Sequence, residues 1–495
     1  MKNKFKIFFV SPEVSPFAKT GGLAEVSGAL PKVLKERGHD VRMMMPNYRA
    51  VNERKFTLRD VIRLKDMAVP VGGQNVKASG KSSFLPDSKV QIYLLYHKQF
   101  FDRDGLYQNT AGQDYADNAE RFIFFCRGCL ETLKLLQWQP DLIHCNDWQT
   151  ALIPVYLKTL YKDDPFFKDI PVLLSIHNLT DQGIFDASVV QKAGLPQELF
   201  YPGSTLEFFG KFNFLKAGLL TADMISTVSQ AYAKDIQQSA EHGMGFEDVL
   251  HARRNDLHGI VNGVDYAEWN PANDKFISHP YSAADPAPKV LNKQTLLNRL
   301  GLAFGEETPL IAMISHLDDT KGLELVDEGF DRLMALGVQM VMLGTGDEKY
   351  HKMLARLAKK YPRQFSVTLR FDNALAHLIQ AGADMLLKPS RYEPGGLGQI
   401  QAMRYGTIPI VNGTGGLAET VPNYDPRAET GSGFVFKKYD TDDMLKAVER
   451  AIKVFQDKKR WAKLMKNAMK QDYSWEATAE KYTKLYARLV ARSRK

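Results

Sequence analysis

The chain predicts an α/β architecture of two doubly wound domains, each a parallel sheet wrapped by helices. Short apolar strands alternate with helical stretches along nearly the whole sequence, the signature of such sheets. The length of 495 residues exceeds what one hydrophobic core supports. A proline- and alanine-rich stretch, SHPYSAADPAPK at 278–289, divides two such strand–helix series and reads as a linker. The expected organisation is therefore a first Rossmann-like domain at 1–277, the linker at 278–289 and a second domain at 290–472. A helix at 473–495, anchored by Trp475, Tyr482, Leu485, Leu489 and Val490, is expected to pack back toward the first domain.

Phe5 to Val10 forms the first strand, and a loop from Ser11 to Gly22 follows it. The next helix carries Leu23, Val26, Leu30 and Leu34 on one face, should kink at Pro31 and ends at Gly38. Val41 to Met45 returns as a strand, so Lys19-Thr20-Gly21-Gly22 sits at a strand-to-helix turn. That turn lacks the G-x-G-x-x-G spacing of dinucleotide sites, but offers a lysine and pliant backbone where an anion could sit. Residues 55–97 look β-rich, with Val90 to Tyr96 the clearest strand, and Asp117 to Leu136 reads as a helix. Further strands are expected at Leu142 to Cys145, Val172 to Ile176, Ile225 to Val228 and Gly259 to Val261. The second series places strands at Leu310 to Ile314, Gln339 to Leu343, Val367 to Phe371, Met385 to Leu387 and Ile408 to Val411.

Composition narrows the class. Hydrophobic content of 44% and charged content of 25% are ordinary for a globular protein, and the net charge of +8 is modest. No basic run interleaved with aromatics argues for nucleic acid as a partner, and no stretch approaches a membrane span. The N-terminal apolar run is interrupted by Pro12 and Glu13, so it reads as a strand rather than a signal peptide, and no transit peptide is evident. The three cysteines, Cys126, Cys129 and Cys145, supply no disulfide framework, and the C-x-x-C pair lies in an apolar helical run where it reads as core. A cytoplasmic setting is the expectation.

The most informative stretch runs from Asp384 to Val421. After the 385–387 strand, the chain turns through Arg391 to Gly396 and a helix fits Leu397 to Tyr405. After the 408–411 strand, Thr414-Gly415-Gly416 opens another helix at Leu417. Two strand-to-helix turns thus lie side by side at the sheet edge where open α/β sheets bind ligands. The first turn offers the carboxylate Glu393, the second bare backbone N–H groups at a helix start. A carboxylate for hydroxyls beside a cradle for phosphate suits a nucleotide sugar. Taken alone, Glu393 also reads as a solvated loop residue, His177 as a core histidine, Lys321 as a surface lysine and Asp147 as a helix cap. Asp318-Asp319 reads as a solvated loop rather than a metal site.

The chain resembles the bacterial glycogen synthase and plant starch synthase family of retaining glucosyltransferases. The resemblance is carried by KTGGLAEVSGALP (19–31), DLIHCNDWQTAL (141–152), SIHNLTDQGIF (175–185), FLKAGLLTAD (214–223), IVNGVDYAEWNP (260–271), the 384–421 stretch and YSWEATAEKY (473–482). It implies a GT-B fold, two Rossmann-like domains facing across a cleft that closes on substrate. It implies ADP-glucose as donor, an α-1,4-glucan as acceptor and no cofactor or metal. By similarity Glu393 holds the donor glucose, Lys321 and the Gly415-Gly416 amides take the diphosphate, and Lys19, Gly21 and Gly22 approach from the other domain. His177 lies beside the anomeric carbon; His316, Thr414 and Asn262 join the donor set; Glu25, Asp147 and Asn178 serve the acceptor or the domain junction. Oligomeric state is left open.

The chain departs from that pattern at several positions. His316 stands where the family usually has a phosphate-binding arginine, Gly395 replaces a cysteine and Gly398 a threonine or similar residue. Asp181 replaces a tyrosine, Glu25 an aspartate, and Lys388 brings a charge where an apolar residue is typical. Gln401 occupies the place of a second glutamate found in broader relatives. Two alternatives follow: the same fold with UDP-glucose or another acceptor, or a weakened glucan-binding homologue.

Overall fold

The computed structural model describes residues 4–494 and divides them into two compact units. The first comprises residues up to Val228, Ala233–Ile260 and Trp475 onward; the second comprises Ser229–Tyr232 and Val261–Ser474.

Seven strands of the first unit form a parallel core in the order Leu257–Gly259, Met224–Thr227, Val172–Ile176, Leu142–Asn146, Lys6–Val10, Asp40–Pro46, Gln91–Tyr96. Antiparallel strands Gln74–Phe84, Met67–Val71 and Arg59–Asp60 extend the far edge. The central strands are buried on both faces, which is why they read as unbroken apolar runs rather than alternating ones. Strand order reverses between Lys6–Val10 and Leu142–Asn146, so the loops after Val10 and Asn146 flank the point where such sheets open. The helix Gly22–Glu36 runs through Pro31, and Asn118–Leu136 buries Cys126 and Cys129 against the sheet. Burial pushes all three thiols up, consistent with packing rather than reactivity.

The helix Trp475–Ser493 packs within the first unit, where Tyr486 Oη meets His144 Nδ1 at 2.8 Å in the core. Ser175 Oγ lies 2.6 Å from the other ring nitrogen, and burial holds the imidazole neutral.

In the second unit the order is Phe365–Thr368, Gln339–Gly346, Leu310–Leu317, Met385–Lys388, Ile408–Asn412, Phe434–Phe436, all parallel. Strand alternation sends Ile311 and Met313 into one core and Leu310 and Ala312 into another on the opposite face, as a doubly wound sheet requires. Leu310–Leu317 pairs with Gln339–Gly346 along its full length but with Met385–Lys388 only at Ile311 and Ala312. The two central strands therefore part company beyond Leu386, at the reversal of strand order.

Three expectations need correction. The units divide at 260/261, not within 278–289, because residues after 260 are bolted to the second sheet. Trp269 stacks on His377 with centroids 3.8 Å apart, and Tyr281 Oη donates to the Tyr405 carbonyl at 2.7 Å. The 278–288 stretch has no helix or strand, yet Tyr281 is buried; a segment poor in apolar residues needs only one such anchor. The strand placed at Val367 to Phe371 is Phe365–Thr368, leaving Phe371 exposed beyond its end, and the one placed at Gly259 to Val261 is Leu257–Gly259.

Replacing Tyr486 by Phe should strand the buried His144 Nδ1 and cost about 1–3 kcal/mol. Chemical denaturation of the full chain measures it; an unchanged midpoint contradicts the assignment.

Candidate active site

Most of the polar groups named in the sequence belong to two clusters, one in each unit. In the second unit the cluster sits at the strand reversal. Lys321 arrives in the turn after Leu310–Leu317, and Glu393 in the loop after Met385–Lys388. Glu393 Oε2 lies 3.4 Å from Lys321 Nζ, 3.3 Å from Lys388 Nζ and 3.2 Å from Ser390 Oγ. The side chains of Glu393, Lys321 and Lys388 are 13%, 19% and 11% exposed, so these charges interact with little screening. Burial raises the Glu393 carboxyl, but the charges of Lys388 and Lys321 and the hydrogen bonds outweigh it and hold it down to about 2. With Oε2 saturated, Oε1 is the oxygen left to accept from a ligand's hydroxyls.

Backbone contacts fix this loop from two sides. The Arg391 N–H donates to the Thr320 carbonyl at 2.8 Å, tying it to the lysine turn. Gly322, at φ +71°, lets the two turns touch: a Cβ there would meet the Pro389 carbonyl oxygen at 2.1 Å. On the other side a Cβ on Gly416 would lie 1.9 Å from the Gly395 oxygen. The Gly416 N–H donates to the carbonyls of Glu393 and Pro394, at 3.0 and 3.1 Å. This corrects the expectation of bare amides: the 416 N–H is spent on seating the Glu393 loop. The next two amides, of Leu417 and Ala418, close onto the Thr414 carbonyl. The helix there, Gly415–Thr420, is only 6 residues long, with no side-chain cap from Thr414. The glycines are needed for close approach between neighbouring turns.

The remaining donor candidates of this unit scatter more widely. His316 is exposed near the end of Leu310–Leu317, in register with Thr345. Asn262 is buried, and its Oδ1 finds no hydrogen-bond partner among the described residues. Asp319 is not a bare acid: Lys349 and Tyr350 Oη both reach it, while Asp318 closes a turn by accepting from the Thr320 N–H at 2.8 Å.

In the first unit the helix Gly22–Glu36 starts without a side-chain cap, since Gly21 has none to offer. A Cβ on Gly21 or Gly22 would meet nothing within 4 Å, so the space before this helix is open. Lys19 Nζ rests 2.5 Å from Glu25 Oε1, both exposed. His177 Nε2 lies 2.9 Å from Asn146 Oδ1, whose amide is oriented by donating to the Val10 carbonyl at 2.9 Å. That contact makes Nε2 the protonated nitrogen, and burial lowers the imidazole to about 4, so the ring is neutral near pH 7. Asp147, at φ +55°, accepts from the His177 N–H at 2.7 Å. Burial, with Glu13 and Asp181 nearby, pushes its carboxyl up to about 8 against the hydrogen bonds from His177 and Asn178. Asn178 Oδ1 caps the following turn by accepting from Thr180 N–H at 3.1 Å.

Sequence reasoning missed several residues. Glu13 accepts from the Thr20 N–H (2.5 Å), the Thr20 hydroxyl (2.9 Å) and Tyr107 Oη (3.4 Å), so it shapes the Lys19 turn. A glutamate 6 positions before that lysine is the only signal the sequence offered. Buried Gln399 donates to the Gly396 carbonyl at 2.8 Å and the Thr420 hydroxyl at 2.9 Å, and Asn412 to the Ser390 carbonyl at 2.9 Å. Phe371, 82% exposed past the end of the 365–368 strand, is a bare ring in the loop that follows that strand.

Two doubly wound units, one carrying a carboxylate wedged between lysines at its strand reversal, define a glycosyltransferase of the GT-B class. Residues 6–252 match the family model for the starch synthase catalytic domain, and 297–471 that for glycosyl transferases group 1. A glycogen synthase from Geotalea daltonii is 44% identical over 487 residues, covering 98% of this chain and 99% of its own. One from Thermotoga maritima is 45% identical over 494 residues, covering 98% and 99%. The catalytic domain of starch synthase IV from Arabidopsis thaliana, solved bound to ADP and acarbose, superposes with a TM-score of 0.88. It is 30% identical and covers 99% of this chain and all (100%) of that one. A sucrose-phosphate synthase from Thermosynechococcus elongatus shares the fold, with a TM-score of 0.59 and 17% identity over 98% of this chain and 99% of that one. The chain belongs to the glycogen and starch synthase family.

The Glu393 carboxyl, at about 2 against an ordinary 4.5, contributes stability that is complete above pH 4.5 and lost as pH falls toward 2. Glu393→Gln should flatten that acid decline; about 3 kcal/mol is at stake. Unfolding curves from pH 3 to 6 that superimpose for both proteins would contradict the ion-pair geometry.

Proposed function

We propose that this chain transfers glucose from ADP-glucose to the non-reducing end of an α-1,4-glucan with retention of configuration. The observation that carries the reading is Glu393: a carboxylate kept ionised by two lysines, with one oxygen occupied and one left for sugar hydroxyls. In this reading Lys321 neutralises the diphosphate as it gathers negative charge on leaving. Lys19 and the uncapped helix start at Gly21-Gly22 supply further positive character. His177, neutral and with Nε2 held by Asn146, presents an uncharged polar edge near the anomeric carbon. Attack then follows departure on the same face, and the charges invoked are those of the protein's own side chains, with no cofactor called upon. Glu25, Asp147 and Asn178 are assigned to the acceptor chain or to the domain junction.

Support for an adenine nucleotide comes from the ADP in the Arabidopsis structure and from Phe371, whose exposed ring offers a stacking face for a base. The exposed His316 supplies less charge than a guanidinium would, which favours weak rather than absent donor binding.

Incubation with ADP-glucose and glycogen should release ADP faster than UDP-glucose releases UDP. No release with either donor would remove the proposal. Glu393→Ala should lower turnover by about 100-fold or more, the scale of losing one preformed transition-state contact. Glucan affinity in a pull-down should stay near that of the parent; equal loss of both would reassign Glu393 to the acceptor.

A further inference from the structure

We propose that Lys388 is a positioning residue: it keeps Glu393 paired and in place so that the Lys321 ammonium is released to the donor's diphosphate. The inference rests on the roles given above to Glu393 and Lys321, and adds the group that makes those two roles compatible.

One ammonium shared between the carboxylate and a diphosphate serves each incompletely. Lys321 Nζ lies 3.4 Å from Glu393 Oε2, and in a site this buried it could turn to a phosphate only by leaving the carboxylate uncompensated. Lys388 removes the conflict by meeting the same oxygen at 3.3 Å from another direction. Its backbone is rigid, being the last residue of a strand that pairs with Ile408–Asn412 through Val411. Lys321 instead lies in the turn after Leu310–Leu317, outside the strand pairing, so only its side chain need swing for the ammonium to leave the carboxylate. Two lysines and one carboxylate leave a surplus positive charge, the balance an incoming dianionic group favours.

The neighbours agree with this division. Ser390 Oγ completes the set on Oε2 at 3.2 Å. Arg391, next along the loop, is engaged elsewhere: it pairs with Glu324 at 3.4 Å and lies over the Tyr439 ring at 4.6 Å. Gly398 lies beside Lys388: a Cβ added there would come 3.6 Å from its Nζ, an ordinary contact distance. Among the cations, the Lys388 charge lowers the Glu393 carboxyl more than that of Lys321, though burial opposes both.

Calorimetric titration with ADP tests the assignment. Lys388→Met should weaken ADP by about tenfold, because Glu393 then retains Lys321; this is the size of effect one charge pair of modest strength gives. Adding Glu393→Gln to that variant should restore most of the affinity, and Lys388→Arg should behave like the parent. Undiminished ADP binding in Lys388→Met, or no recovery in the double variant, overturns the proposal. A second measurement needs neither nucleotide nor turnover. Lys388→Met should lower the unfolding midpoint at pH 7 in the parent but much less in the Glu393→Gln background. Equal losses in both mean that Lys388 merely packs, which also overturns it. A parent protein inactive with every sugar nucleotide would instead sink the catalytic reading while the thermal cycle still decides the Lys388–Glu393 pairing.

Discussion

A single buried carboxylate organises the second unit. Glu393 is surrounded on one oxygen by Lys321, Lys388 and Ser390, and none of these would be worth burying without the others. The arrangement demands that three separate pieces of chain, the 318–322 turn, the 389–396 loop and the 414–416 turn, converge to within van der Waals contact. Gly322 and Gly416 permit it, since any side chain there would strike the Pro389 or Gly395 carbonyl. Hydrogen bonds to the Thr320, Glu393 and Pro394 carbonyls then hold the pieces together. The sheet provides the opening: the central strands stop pairing after Leu386, and the functional loops fill the gap.

The first unit solves a similar problem with different chemistry. Its strand reversal is bridged by Asn146, which reaches back to the Val10 carbonyl and forward to His177. Glu13 shapes the Lys19 turn through Thr20, and Asp147 receives the His177 backbone. Here burial dominates over ion pairing, so the imidazole is kept neutral and the Asp147 carboxyl is driven up. One unit thus carries a buried, ion-paired carboxylate, and the other, apart from the exposed Lys19–Glu25 pair, carries buried polar groups whose charge is suppressed. That contrast suits a reaction in which a charged leaving group departs from a neutral sugar.

Much of the fold was legible because its strands are short, apolar and bounded by glycine or proline, signals that survive without tertiary context. Glu393 was legible as a candidate from its place in a strand-to-helix turn, whereas Lys321, which alone reads as a surface lysine, was legible only through the family resemblance. The linker was misplaced because composition reports flexibility only when nothing anchors the segment, and Tyr281 does. The Gly415-Gly416 pair was read as a phosphate cradle, since a sequence cannot distinguish a glycine that admits a ligand from one that admits a neighbouring loop. Glu13 and Gln399 went unnoticed because their partners are backbone groups and hydroxyls brought together by the fold, which carry no distinctive sequence label.

By itself the sequence determined the fold class, the two strand–helix series and the family, all of which rest on local periodicity and on motifs read in order. Only the tertiary structure decided which charges meet. Lys388 is 67 positions from Lys321 in the chain, yet both ammonium groups share one oxygen of Glu393. Electrostatic pairing depends on distance in space and on the water excluded between the groups, and neither is written in the order of residues along the chain.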